Sequence, residues 1–129
     1  MLTDAQQFGQ HSEAAAADCL RAAGYRIVAR NYRHRLGEID LIAYDGATLV
    51  FVEVKARRSD RFGAPGESIT RRKRDQLTKV ALAYLARAHR RAPPPCRFDL
   101  VTVRPAPDGA PRVELIKDMF SPSWDGIGS

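Results

Sequence analysis

The sequence predicts a mixed α/β domain with the element order α-β-β-β-α-β-β. Three observations carry that reading. Two segments repeat apolar residues at helical spacing, a strand–turn–strand pattern surrounds Asp45-Gly46 between them, and Pro93-Pro94-Pro95 stops the second helix ahead of two further strand-like runs. Residues 5–23 read as a helix because Phe8, Ala15, Ala16, Cys19, Leu20 and Ala23 recur on one face, and Gly24 is placed to end it as a left-handed cap. In 25–33, Tyr25, Ile27 and Ala29 alternate with Arg26, Val28 and Arg30, which is the period of a strand. A basic bend, Arg33-His34-Arg35-Leu36-Gly37, leads into a strand over 38–44. Asp45-Gly46 signals a hairpin, and 48–57 is the return strand. Gly63, Pro65 and Gly66 mark 58–67 as a loop. The second helix spans 70–91, with Thr70 as N-cap and Leu77, Val80, Ala81, Tyr84, Leu85 and Ala88 as its apolar stripe. Strands over 97–104 and 112–117 flank a Pro107-Asp108-Gly109 turn. One domain over residues 1–120 with a loosely ordered tail over 121–129 is the expected organisation.

Composition narrows the function classes. The chain has 129 residues, of which 44% are hydrophobic and 28% charged, values of an ordinary globular protein rather than a disordered one. No run approaches the roughly 18 apolar residues a membrane span needs, and the first 20 residues lack the pattern of a secretory signal, so a cytoplasmic protein with no membrane partner is expected. Lys plus Arg number 21 against 15 Asp plus Glu, a net charge of +6. Only Lys55, Lys73, Lys79 and Lys117 are lysines, so guanidinium dominates, and guanidinium binds phosphate bidentately. A drift from Lys to Arg set by base composition gives the same count. Cys19 and Cys96, with His11, His34 and His89, have no zinc-type spacing, and no phosphate-binding glycine loop or nucleophile elbow is present.

The chemistry lies in the hairpin. Glu38 and Asp40 share a face on one strand, as do Glu53 and Lys55 on the other. With a two-residue loop at Asp45-Gly46, Asp40 lies diagonal to Glu53; with a four-residue loop it lies directly opposite Glu53, and Glu38 opposite Lys55. Either register puts Asp40, Glu53 and Lys55 on one face, which a three-residue loop would not. Two carboxylates this close in an apolar strand pair repel one another, and a hard divalent ion, Mg²⁺ or Mn²⁺, relieves the repulsion. Such a site suits phosphodiester hydrolysis, with Lys55 beside the attacking water or the scissile phosphate. A Glu53–Lys55 or Glu38–Lys55 ion pair on a solvated face is the plainer alternative. Glu13, at the margin of the first helix's packed face, and Lys73 and Gln76, in the first turns of the second, can each reach the cluster or remain solvated. Asp99, a lone acid entering a strand, is best explained by pairing with Arg97 or by a turn role. Arg33 and Arg35 precede the acids, Arg57, Arg58 and Arg61 follow Lys55, and Arg71 opens the second helix, so acids that hold an ion are bracketed by bases that neutralise a nucleic-acid backbone. Tyr32, Tyr44 and Phe62 are the candidates for base stacking.

Glu13, then Gly37-Glu38-Ile39-Asp40, then Phe51-Val52-Glu53-Val54-Lys55 resembles the core of the PD-(D/E)XK nuclease superfamily, with its restriction-endonuclease-like mixed β-sheet flanked by helices. More narrowly, the chain resembles the YraN family of small bacterial proteins, similar to archaeal Holliday-junction resolvases. Gly9, Gly24-Tyr25, Arg30-Asn31-Tyr32-Arg33, Phe51 to Arg57, Phe62-Gly63, Lys73 and Arg97-Phe98-Asp99 carry that narrower likeness, which extends to about Phe120. The resemblance implies that Asp40 and Glu53 are metal ligands, that Lys55 is the catalytic lysine, that Glu13 matches a helix glutamate of the resolvase-like branch, and that Gln76 matches a polar helix residue near the site. Ile39 stands where the superfamily commonly has proline. The expected function is a Mg²⁺- or Mn²⁺-dependent endonuclease acting on branched or structured DNA, with four-way junction, flap, duplex end and RNA all open as substrates. The runner-up is a nucleic-acid-binding accessory protein without catalysis. A symmetric junction cutter works as a pair, so a homodimer is the corresponding expectation.

Overall fold

In a computed structural model, the residues described are 4–56, 69–106 and 108–122, the first five of them by backbone alone. Seven elements follow in the expected order: α1 (Asp4–Ala22), β1 (Arg26–His34), β2 (Gly37–Asp45), β3 (Thr48–Ala56), α2 (Arg71–Ala88), β4 (Cys96–Arg104) and β5 (Arg112–Ile116). They build one five-stranded sheet in the order β1-β2-β3-β4-β5, antiparallel throughout except for β3 and β4, which run parallel because α2 carries the chain between them. Arg57, Arg58, Arg61 and Phe62, with the loop over 58–67 and residues 123–129, lie outside the described residues.

Each helix end has a local cause. At the end of α1 the Tyr25 N–H donates to Leu20 O (2.9 Å) and the Gly24 N–H to Arg21 O (3.0 Å), the paired bonds of a Schellman cap, with Gly24 at φ +92°. Thr70 caps α2, its hydroxyl accepting from Lys73 N at 3.1 Å. α2 stops at Ala88, three residues short of the expected Arg91. The His89 N–H closes the last turn on Leu85 O, and residues 89–95 have already left the helix as it approaches the three prolines. Ala88 is consequently exposed rather than part of the stripe.

The sheet is buried on both faces. Ala16 and Leu20 of α1 pack on Leu41, Ala43, Val50, Val52, Val101 and Val103, while Leu77, Val80 and Ala81 of α2 pack on Ile42, Leu49, Phe51 and Phe98. Alternation along β3 divides the strand cleanly, with Val50 and Val52 toward α1 and Leu49 and Phe51 toward α2. β2 does not alternate throughout: Ile39 faces α2 together with Ile42, and Leu41 between them faces α1. The period breaks at Asp40. Opposite it on β1, Asn31 sits at φ +51°, and the β1–β2 pairing passes from Tyr32↔Ile39 to Arg30↔Leu41 over the Asn31/Asp40 position. Asn tolerates this left-handed conformation better than most residues. The irregularity marks where the strands depart from a plain ladder, and the candidate chemistry lies there.

Candidate functional site

The β2–β3 hairpin closes on the Asp45↔Thr48 pair, leaving Gly46-Ala47 as a two-residue turn with Gly46 at φ +61°. The pairs Tyr44↔Leu49 through Leu41↔Val52 belong to the second of the two expected registers, in which the next pair would be Asp40 with Glu53. That pair does not form as a ladder step. Instead Asp40 Oδ2 accepts from the Val54 N–H at 2.8 Å, so a side-chain oxygen takes the place of a backbone acceptor. Asp40 is thereby fixed beside Glu53, which is 8% exposed.

Burial is the largest influence on both acids and raises both above the ordinary carboxylate range. For Asp40 the Val54 N–H opposes that rise, while the carboxylates of Glu13 and Glu38 add to it and the Lys73 ammonium reduces it. Glu53 is pushed up to about 7, by burial first and by the Asp40 charge second, with Lys73 and Lys55 pulling it back. Lys73 reaches Glu53 Oε1 at 3.7 Å, a long contact for a charge pair. Asp40, Glu53, Lys55, Glu13 from α1 and Lys73 from α2 therefore act on one another at one end of the sheet. Lys73, expected on the phosphate-binding surface, stands within the acid cluster.

Other expected residues are placed around it. Gln76 donates to Leu36 O at 2.9 Å, fastening α2 to the β1–β2 turn just before Glu38. Arg33 lies 3.6 Å from Glu38 on the surface. Arg35 and Arg71 are exposed, and Arg71 lines an open depression with Leu36, Arg72, Asp75, Gln76 and Lys79. The aromatic candidates are engaged in packing: Tyr32 meets Tyr84 edge-on at 5.2 Å, and Tyr44 lies under Arg26 with its hydroxyl 3.4 Å from His89 Nε2.

A second charged cluster sits at the other end of β2; of the two roles the sequence left open for Asp99, pairing with Arg97 is the one observed. Asp99, 0% exposed, accepts from Arg97 Nε (2.8 Å) and Asp118 N (2.9 Å) at Oδ1, and from Tyr25 OH (2.7 Å) and Arg97 Nη2 (3.0 Å) at Oδ2. Arg97 also reaches Asp45 Oδ2 at 2.8 Å, with Lys117 at 3.6 Å from the same oxygen. Tyr25, directly after the Gly24 cap, was the available signal, since a buried phenol needs a partner.

Among the described residues, no three His, Cys, Asp or Glu side chains stand close enough to hold a metal ion as a set. The donor set on offer is the pair Asp40 and Glu53. Two carboxylates are what a Mg²⁺ ion commonly takes from protein when water and substrate phosphate supply the remainder, and the mutual repulsion of these two is what a divalent charge would relieve. Among the described residues no helix is long and apolar enough to cross a membrane.

Comparison with known proteins gives a consistent result. Residues 12–103 match the model of uncharacterised protein family UPF0102, a stretch containing every residue of the acid–lysine cluster. A UPF0102 protein of Symbiobacterium thermophilum is 56% identical over 115 residues, covering 89% of this chain and 97% of the relative. UPF0102 proteins of Syntrophus aciditrophicus and Desulfosudis oleivorans are each 47% identical, over 119 and 123 residues, with 92% and 94% of the relatives covered.

Proposed function

We propose that this chain, which belongs to the UPF0102 (YraN) family, is a divalent-metal-dependent endonuclease that hydrolyses phosphodiester bonds in branched or otherwise structured DNA. The observation that carries this reading is the under-compensated acid pair: Asp40 and Glu53, side by side in an apolar sheet, both raised above the ordinary carboxylate range, with Lys55 next to them. Burial raises both acids first, and at Glu53 the Asp40 charge adds to it beyond what Lys73 and Lys55 offset. The resemblance to the PD-(D/E)XK nucleases supports the same assignment, residue by residue.

Asp40 and Glu53 would hold Mg²⁺ or Mn²⁺; Glu13, expected as a further ligand from α1, adds its charge near Asp40 without joining them as a three-residue set. The ion, when bound, supplies Lewis acidity at the phosphate and acidifies water. Lys55 orients the attacking water and offsets the charge that builds on the phosphate as the new P–O bond forms and the bond to the leaving sugar oxygen breaks. The Val54 N–H holds Asp40 in place through the reaction, and Gln76 holds the turn from which Glu38 and Asp40 extend. Arg33, Arg35 and Arg71, with Arg57, Arg58 and Arg61 in the sequence after Lys55, neutralise flanking phosphates. A homodimer would present two such sites to the two continuous strands of a junction.

The test is cleavage of labelled four-way junctions, flaps, duplexes and single strands, DNA and RNA, with Mg²⁺, Mn²⁺ or EDTA. The expected result is metal-dependent cutting of branched DNA that Asp40→Ala and Lys55→Ala each reduce on the order of 10²-fold or more. Salt-sensitive binding with no cutting under either metal would instead support a non-catalytic accessory protein.

A further inference from the structure

Two large hydrophobic side chains are exposed among the described residues: Val28 (37%), at the bulge in β1, and Leu36 (43%), at the apex of the β1–β2 hairpin. A lone exposed leucine ordinarily needs no explanation. Leu36 differs because the turn holds it out. His34↔Gly37 is the last pair of the hairpin, so Arg35 and Leu36 form its tip. The Leu36 N–H donates to His34 Nδ1 (3.2 Å) and its carbonyl accepts from Gln76 Nε2 (2.9 Å), so both backbone groups are occupied. Gly37 takes up the reversal at φ +148°, and a Cβ there would meet Gln76 atoms at 2.7–2.9 Å. The backbone is pinned by these two bonds while the side chain stays exposed.

Its surroundings are cationic. Leu36 lines the depression of about 470 Å³ with Arg71, Arg72, Asp75, Gln76 and Lys79, three cations against one carboxylate, and exposed Arg33 and Arg35 flank it in the hairpin. Asp40 lies in β2, three residues after the strand begins at Gly37, about 10 Å along it at the rise of a β-strand. An apolar apex among guanidinium groups, one short strand length from an acid pair, matches the chemistry of a side chain that enters a base step while its neighbours grip the phosphates.

We infer that Leu36 is a wedge that seats at the unstacked base step of branched DNA, with Arg35, Arg71, Arg72 and Lys79 on the adjoining phosphates. The inference rests on the endonuclease reading and names what that site selects. Entering a continuous duplex requires breaking a stacked step, which costs a few kcal/mol; at a branch point the stacking is already interrupted, so the wedge favours branched substrates.

The test uses binding without cleavage. In EDTA, fluorescence anisotropy compares a four-way junction with a continuous duplex of equal length, and 2-aminopurine at the branch point reports unstacking. Wild type is expected to bind the junction more tightly and to raise the 2-aminopurine emission. Leu36→Ser is expected to bind the junction about tenfold more weakly, to lose the emission rise, and to bind the duplex as wild type does. Val28→Ser, the other exposed hydrophobic, should change neither, and thermal melts of both variants should match wild type. Equal loss on both DNAs, or no loss on the junction, overturns the wedge, as does wild type that binds neither. Wild type that cuts branched DNA with Mn²⁺ while Leu36→Ser binds and cuts it equally well overturns the wedge and leaves the nuclease reading standing. An emission rise that Leu36→Ser abolishes, with no cutting under any metal, supports the wedge and removes the nuclease.

Discussion

The sheet carries charged clusters at opposite ends of β2, and they are built on opposite principles. Around Asp99, each carboxylate oxygen receives two donors, Arg97 bridges Asp99 to Asp45, and the Tyr25 hydroxyl completes the set. The carboxylates hold the Arg97 guanidinium well above its ordinary value, and the guanidinium holds Asp45 below the usual carboxylate range. Burial, followed by the hydrogen bond to Asp99, keeps the Tyr25 phenol protonated. Around Asp40, burial raises both acids, the Asp40 charge adds to the rise at Glu53, and Lys73 is 3.7 Å from Glu53. A cluster with its charges balanced stabilises one arrangement of β1, β2, β4 and the segment after β5. In the second cluster burial disfavours both charges, and the Asp40 charge adds a repulsion at Glu53 that the proposed cation would relieve. Stability and proposed function have been separated to the two ends of one strand.

The comparison breaks most visibly when each cluster loses a carboxylate. Asp99→Ala leaves the half-buried Arg97 without its main partner and takes the acceptor from the buried Tyr25 hydroxyl, and should cost about 3 kcal/mol of unfolding free energy in urea titrations. Glu53→Gln should do the reverse at pH 8 without added metal, raising stability by roughly 1–3 kcal/mol, because it removes a charge that burial and Asp40 both disfavour. A loss of stability in Glu53→Gln would show that the second cluster is a satisfied ion-pair network like the first.

The pH dependence sharpens the same point. Glu53 binds its proton up to about 7 in the folded chain, against 4.5 for an ordinary glutamate. Between those values the folded state holds more protons than the unfolded one, so the Glu53 contribution is fully present below pH 4.5 and is lost as pH rises toward and past 7. Thermal melts of wild type from pH 5 to pH 8 should contain this decline, and Glu53→Gln should lack it. A smaller effect is expected at the hairpin tip. Gly37→Ala combines a strained φ of +148° with a clash against Gln76 and should cost about 1–2 kcal/mol in the same assay.

Much of this architecture was legible in the sequence because it depends on local rules. Gly24 and Thr70 mark helix ends through backbone chemistry, and Leu49, Val50, Phe51 and Val52 alternate between two cores as a strand buried on both faces must. Asp40, Glu53 and Lys55 could be grouped from parity alone, since both candidate registers shared it. The details that escaped depend on distant contacts. The end of α2 lies three residues early, and the Asp99 network recruits Tyr25 from 74 positions away; for Lys73 the sequence left both the acid cluster and solvent open, and the packing of α2 decides for Glu53. The break at Asn31 and Asp40 had one local clue, an asparagine able to adopt a left-handed conformation, but only the pairing across two strands reveals what it does.

The central claim is that the Asp40–Glu53 end of the sheet is a divalent-cation site. Titration of Mn²⁺ into the purified chain at pH 8, followed by the loss of the free-ion electron paramagnetic resonance signal, measures it directly. The account predicts saturable binding in wild type that Glu53→Gln and Asp40→Asn each weaken by tenfold or more, on the order expected for losing one of two carboxylate ligands. Binding of equal strength in wild type and in both variants would contradict it.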